Sequence, residues 1–148
     1  MLRSYKELKV WQRSFDLCKR VYGLSRSFPA DERFGLVVQV RRAAVSIPSN
    51  IAEGHSRDTT RDYVRFLWMA KGSLAEVETQ LMLARELGFG NTDETEAGLE
   101  ELDEIGRMLK GLIRSLGGEA ARRADGRGTS AQSSIPNPQS SPTERERS

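Results

Sequence analysis

Between residues 59 and 87 the chain carries an apolar line that almost never breaks step: Tyr63, Phe66, Leu67, Ala70, Leu74, Val77, Leu81 and Ala84. Alternating steps of three and four place these side chains on one face of an α-helix in heptad register, which a strand's period of two cannot do. The other faces are apolar as well, with Val64, Trp68, Met69, Ala75, Met82, Leu83 and Leu87. A helix apolar nearly all round has to be covered on more than one side. The chain is therefore expected to fold as packed helices, with this one at the centre of the packing.

Three more segments share the period. The first, from about Tyr5 to Ser27, has two apolar lines: Leu8, Trp11, Phe15, Cys18 and Tyr22, and Val10, Leu17, Val21, Leu24 and Phe28. They lie roughly 100 to 160° apart around the wheel at about 100° per residue. "FPADE" ends that helix; Pro29 is expected to open the next, with Asp31 and Glu32 in its first turn. In the second segment Val37, Val40, Ala44, Ile47 and Ile51 keep phase across Pro48, while Gln39, Arg42, Ser46, Ser49, Asn50 and Glu53 fall on the opposite side. A helix that stopped at Pro48 would give Ile51 no reason to continue the stripe. The expectation is one helix, kinked at Pro48, with Gly54 as its C-cap and a carbonyl near position 44 freed by the missing proline N–H.

The last segment, about Thr95 to Leu116, has a stripe of Leu102, Ile105, Leu109, Leu112, Ile113 and Leu116, and an acidic side of Glu94, Glu96, Glu100, Glu101, Asp103 and Glu104. Four long helices with short connections predict an all-α fold, an antiparallel up-down-up-down four-helix bundle over residues 1 to 117. Residues 118 to 148 are rich in Ser, Pro, Gly and Arg and poor in large apolar side chains, so a disordered tail is expected there.

Little in the chain carries chemistry. Cys18 and His55 are each the one residue of their type, which argues against an internal disulfide, a structural zinc site or a Cys–His pair within one chain. The lone cysteine, the absence of a long apolar run and an N-terminus without an apolar leader fit a cytoplasmic protein outside any membrane. Ser46, Ser49 and Asn50 cluster at Pro48, but no G-x-S-x-G elbow accompanies them. Their expected work is to satisfy helix backbone, not to attack a substrate. Glu76 and Glu78 lack the E-x-x-H partner of di-iron bundles, and "GFGNTDE" lacks the lysine and preceding strand of a phosphate loop. No cofactor, metal or small-molecule substrate is expected, and the chain reads as a non-enzyme.

Charge is distributed unevenly. Lys and Arg outnumber Asp and Glu two to one over residues 1 to 75, and the balance reverses over residues 76 to 117. Lys6, Lys9, Arg13, Lys19 and Arg20 on the first helix, with Arg57, Arg61 and Arg65 at the start of the third, are the candidate contacts to nucleic-acid phosphates. The competing reading is ordinary solubilising charge, or positive and negative halves that serve contacts between protein copies. Surplus apolar surface on the first and third helices points to self-association, with Val64, Trp68 and Met82 as candidate interface residues. Arg41 falls inside the apolar arc of its helix; it must pair within the bundle or across a subunit contact, and the latter is favoured.

"YKELKVWQRSFDL", "FPADERFGLVVQVRRAAVSIPSNIAEG" and "RDYVRFLWMAKGSLAEVETQLMLARELGF" together resemble the four-helix bundle family of 23S rRNA-intervening sequence proteins. The likeness runs in order from about Tyr5 to Phe89 and is carried most specifically by "RRAAVSIPSNIAEG" and "GSLAEVETQL"; it thins over the fourth helix. It implies an all-α bundle assembling as a ring-like homopentamer, with no established enzyme activity and a biochemical role essentially unknown. A more distant likeness is to the accessory variability determinant of diversity-generating retroelements, a pentameric basic barrel that binds nucleic acid. Two functions stay open at this point: a homo-oligomeric bundle that binds RNA or DNA through phosphates, and a protein-interaction scaffold with no nucleic-acid role.

Overall fold

The computed structural model describes residues 4–117. They form four helices, α1 (Lys9–Ser25), α2 (Leu36–His55), α3 (Thr60–Glu86) and α4 (Thr92–Ser115), with single 3-10 turns at Tyr5–Glu7 and Ala30–Glu32. No strand occurs among the described residues. The expected tail lies outside them.

The helices pack as a square: α1 on α2, α2 on α3, α3 on α4, and α4 back on α1. Residue pairs give the directions. Arg13 reaches Glu101 while Arg20 reaches Glu94. Arg85 reaches Glu96, Gly98 lies beside Leu81, and Gly106 lies beside Leu74. Cys18 meets Ala44 and Ser25 meets Arg41; Gly54 sits against Phe66, and Ser46 and Arg42 line a cleft with Glu76 and Gln80. In each pair of helices one number falls as the other rises, so every neighbour is antiparallel and the topology is up-down-up-down. The connections, residues 26–35, 56–59 and 87–91, are compatible with this order.

Leu17, Val21, Val40, Ile47, Ile51, Leu67, Val77, Leu81, Leu102, Ile105, Leu109 and Ile113 are almost completely withdrawn from water. Each contributes roughly 1.5–3 kcal/mol by burial. On α1 the core takes the line Val10, Leu17, Val21, Leu24, continued by Phe28 just past the helix, with small Ser14 and Ser25 filling between. The other line, Trp11, Phe15, Cys18 and Tyr22, lies over the α1–α2 seam, where Phe15 and Tyr22 remain exposed.

Helix ends differ from the sequence expectation for local reasons. α1 begins at Lys9, because Ser4 Oγ accepts the Lys6 N–H and closes a separate 3-10 turn first. Pro29 opens only a 3-10 turn; α2 starts at Leu36, whose N–H is taken at 3.0 Å by the carboxylate of Glu32. α2 then runs unbroken through Pro48 to His55. Gly54 is thus inside the helix and not its C-cap. It is a close-approach glycine: a Cβ there would lie 2.7 Å from Phe66 Cβ and 3.2 Å from the Tyr63 carbonyl. Thr59 caps α3 and Asn91 caps α4 through their side-chain oxygens. Gly88, at φ 71°, ends α3 by letting the Phe89 N–H reach back to the Ala84 carbonyl.

Candidate functional site

The proline at the middle of α2 creates the first feature to be explained. In an unbroken helix the N–H of residue 48 would serve the Ala44 carbonyl; proline has none. Cys18 of α1 fills the gap, its Sγ lying 3.1 Å from that carbonyl oxygen. Burial pushes the thiol up to about 11, opposed only in part by a backbone hydrogen bond. This is a structural donor with little thiolate character at neutral pH.

Serine and amide groups around Pro48 bond to their own helix. Ser46 Oγ donates to the Ala43 carbonyl at 2.7 Å, and Asn50 Nδ2 donates to the Ser46 carbonyl at 2.8 Å. Ser49 is exposed on the rim of a cavity of about 280 Å³ lined also by Tyr5, Trp11, Phe15, Val45, Pro48 and Ala52. That cavity is an apolar groove along the α1–α2 seam. Tyr5 meets Trp11 edge-on at 5.3 Å between centroids, and Trp11 stacks on Phe15 at 5.1 Å, so three aromatic rings form a ladder along it.

Arg41 lies beside the far end of the same seam. Its Nε donates to Ser25 Oγ at 2.8 Å, an Nη reaches the Tyr22 carbonyl at 3.4 Å, and its guanidinium sits 4.6 Å from the centre of the Tyr22 ring. Arg41 is therefore hydrogen-bonded inside one copy, at the carbonyl end of α1 where a cation is favoured. These partners are uncharged, and no carboxylate pairs with Arg41 among the described residues. Val64 also departs from expectation: it is 3% exposed and belongs to the core, so it offers no surface to a second copy. Trp68 is half-buried against the core with Lys71 over its ring. Met82 is 43% exposed. It lies with Leu99 in a shallow cavity of about 260 Å³ between α3 and α4, ringed by Glu78, Glu96, Glu100, Asp103 and Arg85.

The basic candidates separate into two groups. Arg13 and Arg20 face α4, where Glu101 and Glu94 take them at 3.3 and 3.5 Å. The positive first half of the chain thus meets the negative second half within one copy. Lys19 pairs with Asp16 and Arg65 with Asp62 one turn away on the same helix, whereas Arg57, which lies in the α2–α3 connection and not on α3 as expected, pairs with Glu53 near the end of α2. Arg57 and Arg65 also flank the Phe66 ring. Arg61 is exposed on α3. Lys6 and Lys9 are exposed and make no ion pair among the described residues. No group of three or more His, Cys, Asp or Glu is placed to hold a metal, and no helix is long and apolar enough to cross a membrane, among the described residues.

The sequence profile of the 23S rRNA-intervening sequence proteins matches residues 6–111, from the first basic turn to the last turns of α4. The chain belongs to that family. The match reaches across the fourth helix, where the sequence likeness had thinned. A solved structure similar to this family member is that of a protein of unknown function from the S23 ribosomal protein family of Bacteroides thetaiotaomicron. The two are 23% identical, the alignment covers 70% of this chain and 97% of the other, and the TM-score is 0.66. At that identity the likeness establishes a shared fold. No curated protein matches the chain in sequence.

Three features of this family member escaped the sequence reading. The thiol bond to Ala44 joins residues on different helices, and only the freed carbonyl hinted that a donor was wanted. The aromatic ladder begins at Tyr5, which the seam-side line of α1 could have suggested had Tyr5 not sat in a separate turn. Ion pairing between α1 and α4 was signalled by the opposite charge of the two halves, which was equally compatible with contacts between copies.

Proposed function

We propose that this family member is a non-enzymatic module that assembles with copies of itself and contacts RNA or DNA through backbone phosphates. The observation that carries the reading is the apolar surface one copy leaves uncovered. Phe15, Tyr22 and Val45 stand out on the α1–α2 side, Met69, Leu83 and Leu87 on the outside of α3, and Met82 beside α4. Phe34, in the turn between α1 and α2, is 87% exposed. Aromatic and methionine side chains exposed in groups mark protein–protein surfaces, whereas isolated ones do not. A homo-oligomer, of five copies on the family likeness, covers them. A cytoplasmic setting suits the unpaired thiol of Cys18.

Support for the non-enzymatic reading comes from what the polar groups near Pro48 already do: Ser46 and Asn50 are spent on helix carbonyls. Nucleic-acid contact rests on Lys6 and Lys9, the basic candidates least engaged elsewhere, with Lys19, Arg57 and Arg65 held by exposed ion pairs of little strength and by ring contacts. Such contacts predict binding that weakens steeply with salt and ignores base sequence. Fluorescence anisotropy of labelled RNA and DNA oligonucleotides, titrated with the full chain from low to high salt, tests this; tight binding independent of salt contradicts it. Cross-linking in the same samples reports self-association separately. Cross-linked oligomers with no oligonucleotide bound favour the scaffold reading instead.

A further inference from the structure

The groove along the α1–α2 seam differs from the other hollows of the bundle in its walls. Its lining, from Tyr5 and Trp11 to Pro48 and Ala52, contains no charged side chain. Arg85 with Glu96, Arg20 with Glu94 and Arg42 with Glu76 stand in the hollows on the other sides. At about 280 Å³ the groove falls just under the usual range of small-molecule sites, about 300–1,000 Å³. The rings of Tyr5, Trp11 and Phe15 follow one another at 5.3 and 5.1 Å between centroids. Tyr5, Trp11 and Ser49 bring hydroxyl and indole donors to the lining. Aromatic-walled grooves with a few such donors take extended, proline-containing segments, whose carbonyls are not used within the segment itself.

The same chain contains such a segment. Residues 134–138 read Ser-Ile-Pro-Asn-Pro, and no residue from Gly128 to Thr143 is charged. Ile135 is the one large aliphatic side chain after Leu116. Pro136, Pro138 and Pro142 stand close together there, and proline's fixed φ lowers the entropy cost of binding in an extended form. The exit point of the chain suits this occupant. Arg13 faces Glu101 and Arg20 faces Glu94, so the path from Arg13 toward Tyr5 runs alongside α4 toward Gly117. Cys18 meets Ala44, so Pro48 and Ala52 lie toward that end as well. The chain thus passes Gly117 at the groove's own end of the bundle, with only α1 between. Residues 118 to 134 form a tether that spans about 20–25 Å as a flexible chain and at most roughly 60 Å. Packed helices are about 8–10 Å apart, so the groove is within easy reach.

We propose that the α1–α2 groove is the docking site of the chain's own Ile135–Pro138 segment, with Ile135, Pro136 and Pro138 against Trp11, Phe15 and Val45. The tether holds the segment near the groove at an effective concentration of about millimolar, so a contact weak between separate molecules is enough. Phe15 and Val45 also belong to the apolar surface that one copy leaves uncovered. On the self-association reading above, the docked segment therefore competes with assembly, and its release strengthens assembly.

Acrylamide quenching of Trp11 fluorescence tests the docking. The full chain carrying Trp68→Phe keeps one indole, in the groove. Should circular dichroism show that this change disturbs the helices, the unaltered chain serves, since Trp68 adds the same background with either tail. The tail variant combines Ile135→Asp, Pro136→Gly and Pro138→Gly, all outside the bundle. It is expected to raise the quenching constant of Trp11 at least twofold. A synthetic peptide of residues 133–142 should then restore the shielding saturably, and the same peptide with the three changes should not. In analytical ultracentrifugation the tail variant is expected to assemble at least threefold more tightly. Equal quenching with either tail overturns the proposal. Shielding that tracks protein concentration equally in both chains shows that a second copy covers the groove, and also overturns it. So does weaker assembly of the tail variant, which would make the segment a bridge between copies. A chain that stays monomeric with either tail, while the native tail alone still shields Trp11, defeats the self-association reading and upholds the docking.

Discussion

The Cys18 thiol donates to the Ala44 carbonyl at 3.1 Å, and Ala44 is the residue whose carbonyl Pro48 cannot serve. One helix supplies the hydrogen bond that its neighbour's proline removes. The arrangement lets α2 carry a proline mid-length and still present Ile47 and Ile51 to the core without a break in phase. It also ties α1 to α2 at the level of the seam.

Removing that donor should destabilise the fold. Cys18→Ala takes from the Ala44 carbonyl the donor that stands in for the missing proline N–H, at a cost of about 1–3 kcal/mol. Pro48→Ala restores a helical N–H to the same carbonyl, so in that background Cys18→Ala is expected to cost roughly 0.5 kcal/mol or more less than in the native one. Urea unfolding of the four chains measures the coupling. Identical cost in both backgrounds would show that the sulfur contributes packing alone.

High pH should weaken the protein in a defined window. The thiol titrates at about 11 in the fold against 9.0 for the unperturbed group. A group whose pKa is raised on folding gives stability that is complete below the lower value and is lost as pH climbs through the upper one. The Cys18 contribution is therefore intact below pH 9 and disappears between 9 and 11. Burial raises Tyr63 too, which adds a loss of the same sign from its ordinary value of 10.0 upward. Comparing the pH dependence of the urea midpoint in the native chain and in Cys18→Ser isolates the thiol, since serine does not titrate there. Parallel curves for the two would contradict the assignment.

Two glycine substitutions are expected to have opposite signs. Gly54→Ala brings a Cβ to 2.7 Å from Phe66 Cβ and close to the Tyr63 backbone, which forces α2 and α3 apart at a cost of about 1–3 kcal/mol. Gly72→Ala, in the middle of α3, meets nothing within 4 Å and should gain roughly 0.5–1 kcal/mol from helix propensity alone. Thermal or urea midpoints decide. A stabilised Gly54→Ala would mean that the two helices slide apart freely.

Among the basic residues, position should matter more than charge. Lys6→Glu and Lys9→Glu are expected to lower oligonucleotide affinity, and each lost phosphate contact should reduce the salt slope by about one. Arg13→Gln is expected to change affinity less, because Glu101 already holds that guanidinium. Anisotropy titrations at several salt concentrations compare them. A larger effect at Arg13 than at Lys9 would place any phosphate contact on the α4 side.

Much of the fold was legible because helical period is a local signal. The four helices and the continuity through Pro48 follow from residues within a few turns of one another. What the period does not say is which of two apolar lines faces inward. On α1, Val10, Leu17 and Val21 compete with Trp11, Phe15 and Cys18, and the core takes the smaller set because Ser14 and Ser25 let neighbouring helices come close. Gly54 was misread for a similar reason. A glycine near a helix end suits a cap and a tight crossing equally well, and only the position of Phe66 on another helix decides. Arg41 is legible as a residue in need of partners, but Ser25 and the Tyr22 carbonyl become its partners only once α1 and α2 are antiparallel. Of the residues that counting faces on α3 picks out, Met82 is exposed, Trp68 is half-buried against the core and Val64 is absorbed by it, and the Tyr5–Trp11–Phe15 ladder needs the seam to assemble it.

The most direct test is the mass of the full chain in solution, measured by light scattering over a dilution series. The account predicts a multiple of 16.6 kDa at micromolar concentrations, falling toward the single-chain value when Phe15→Glu places a charge on the seam. A native chain that holds at 16.6 kDa throughout, with Phe15→Glu behaving identically, would contradict it.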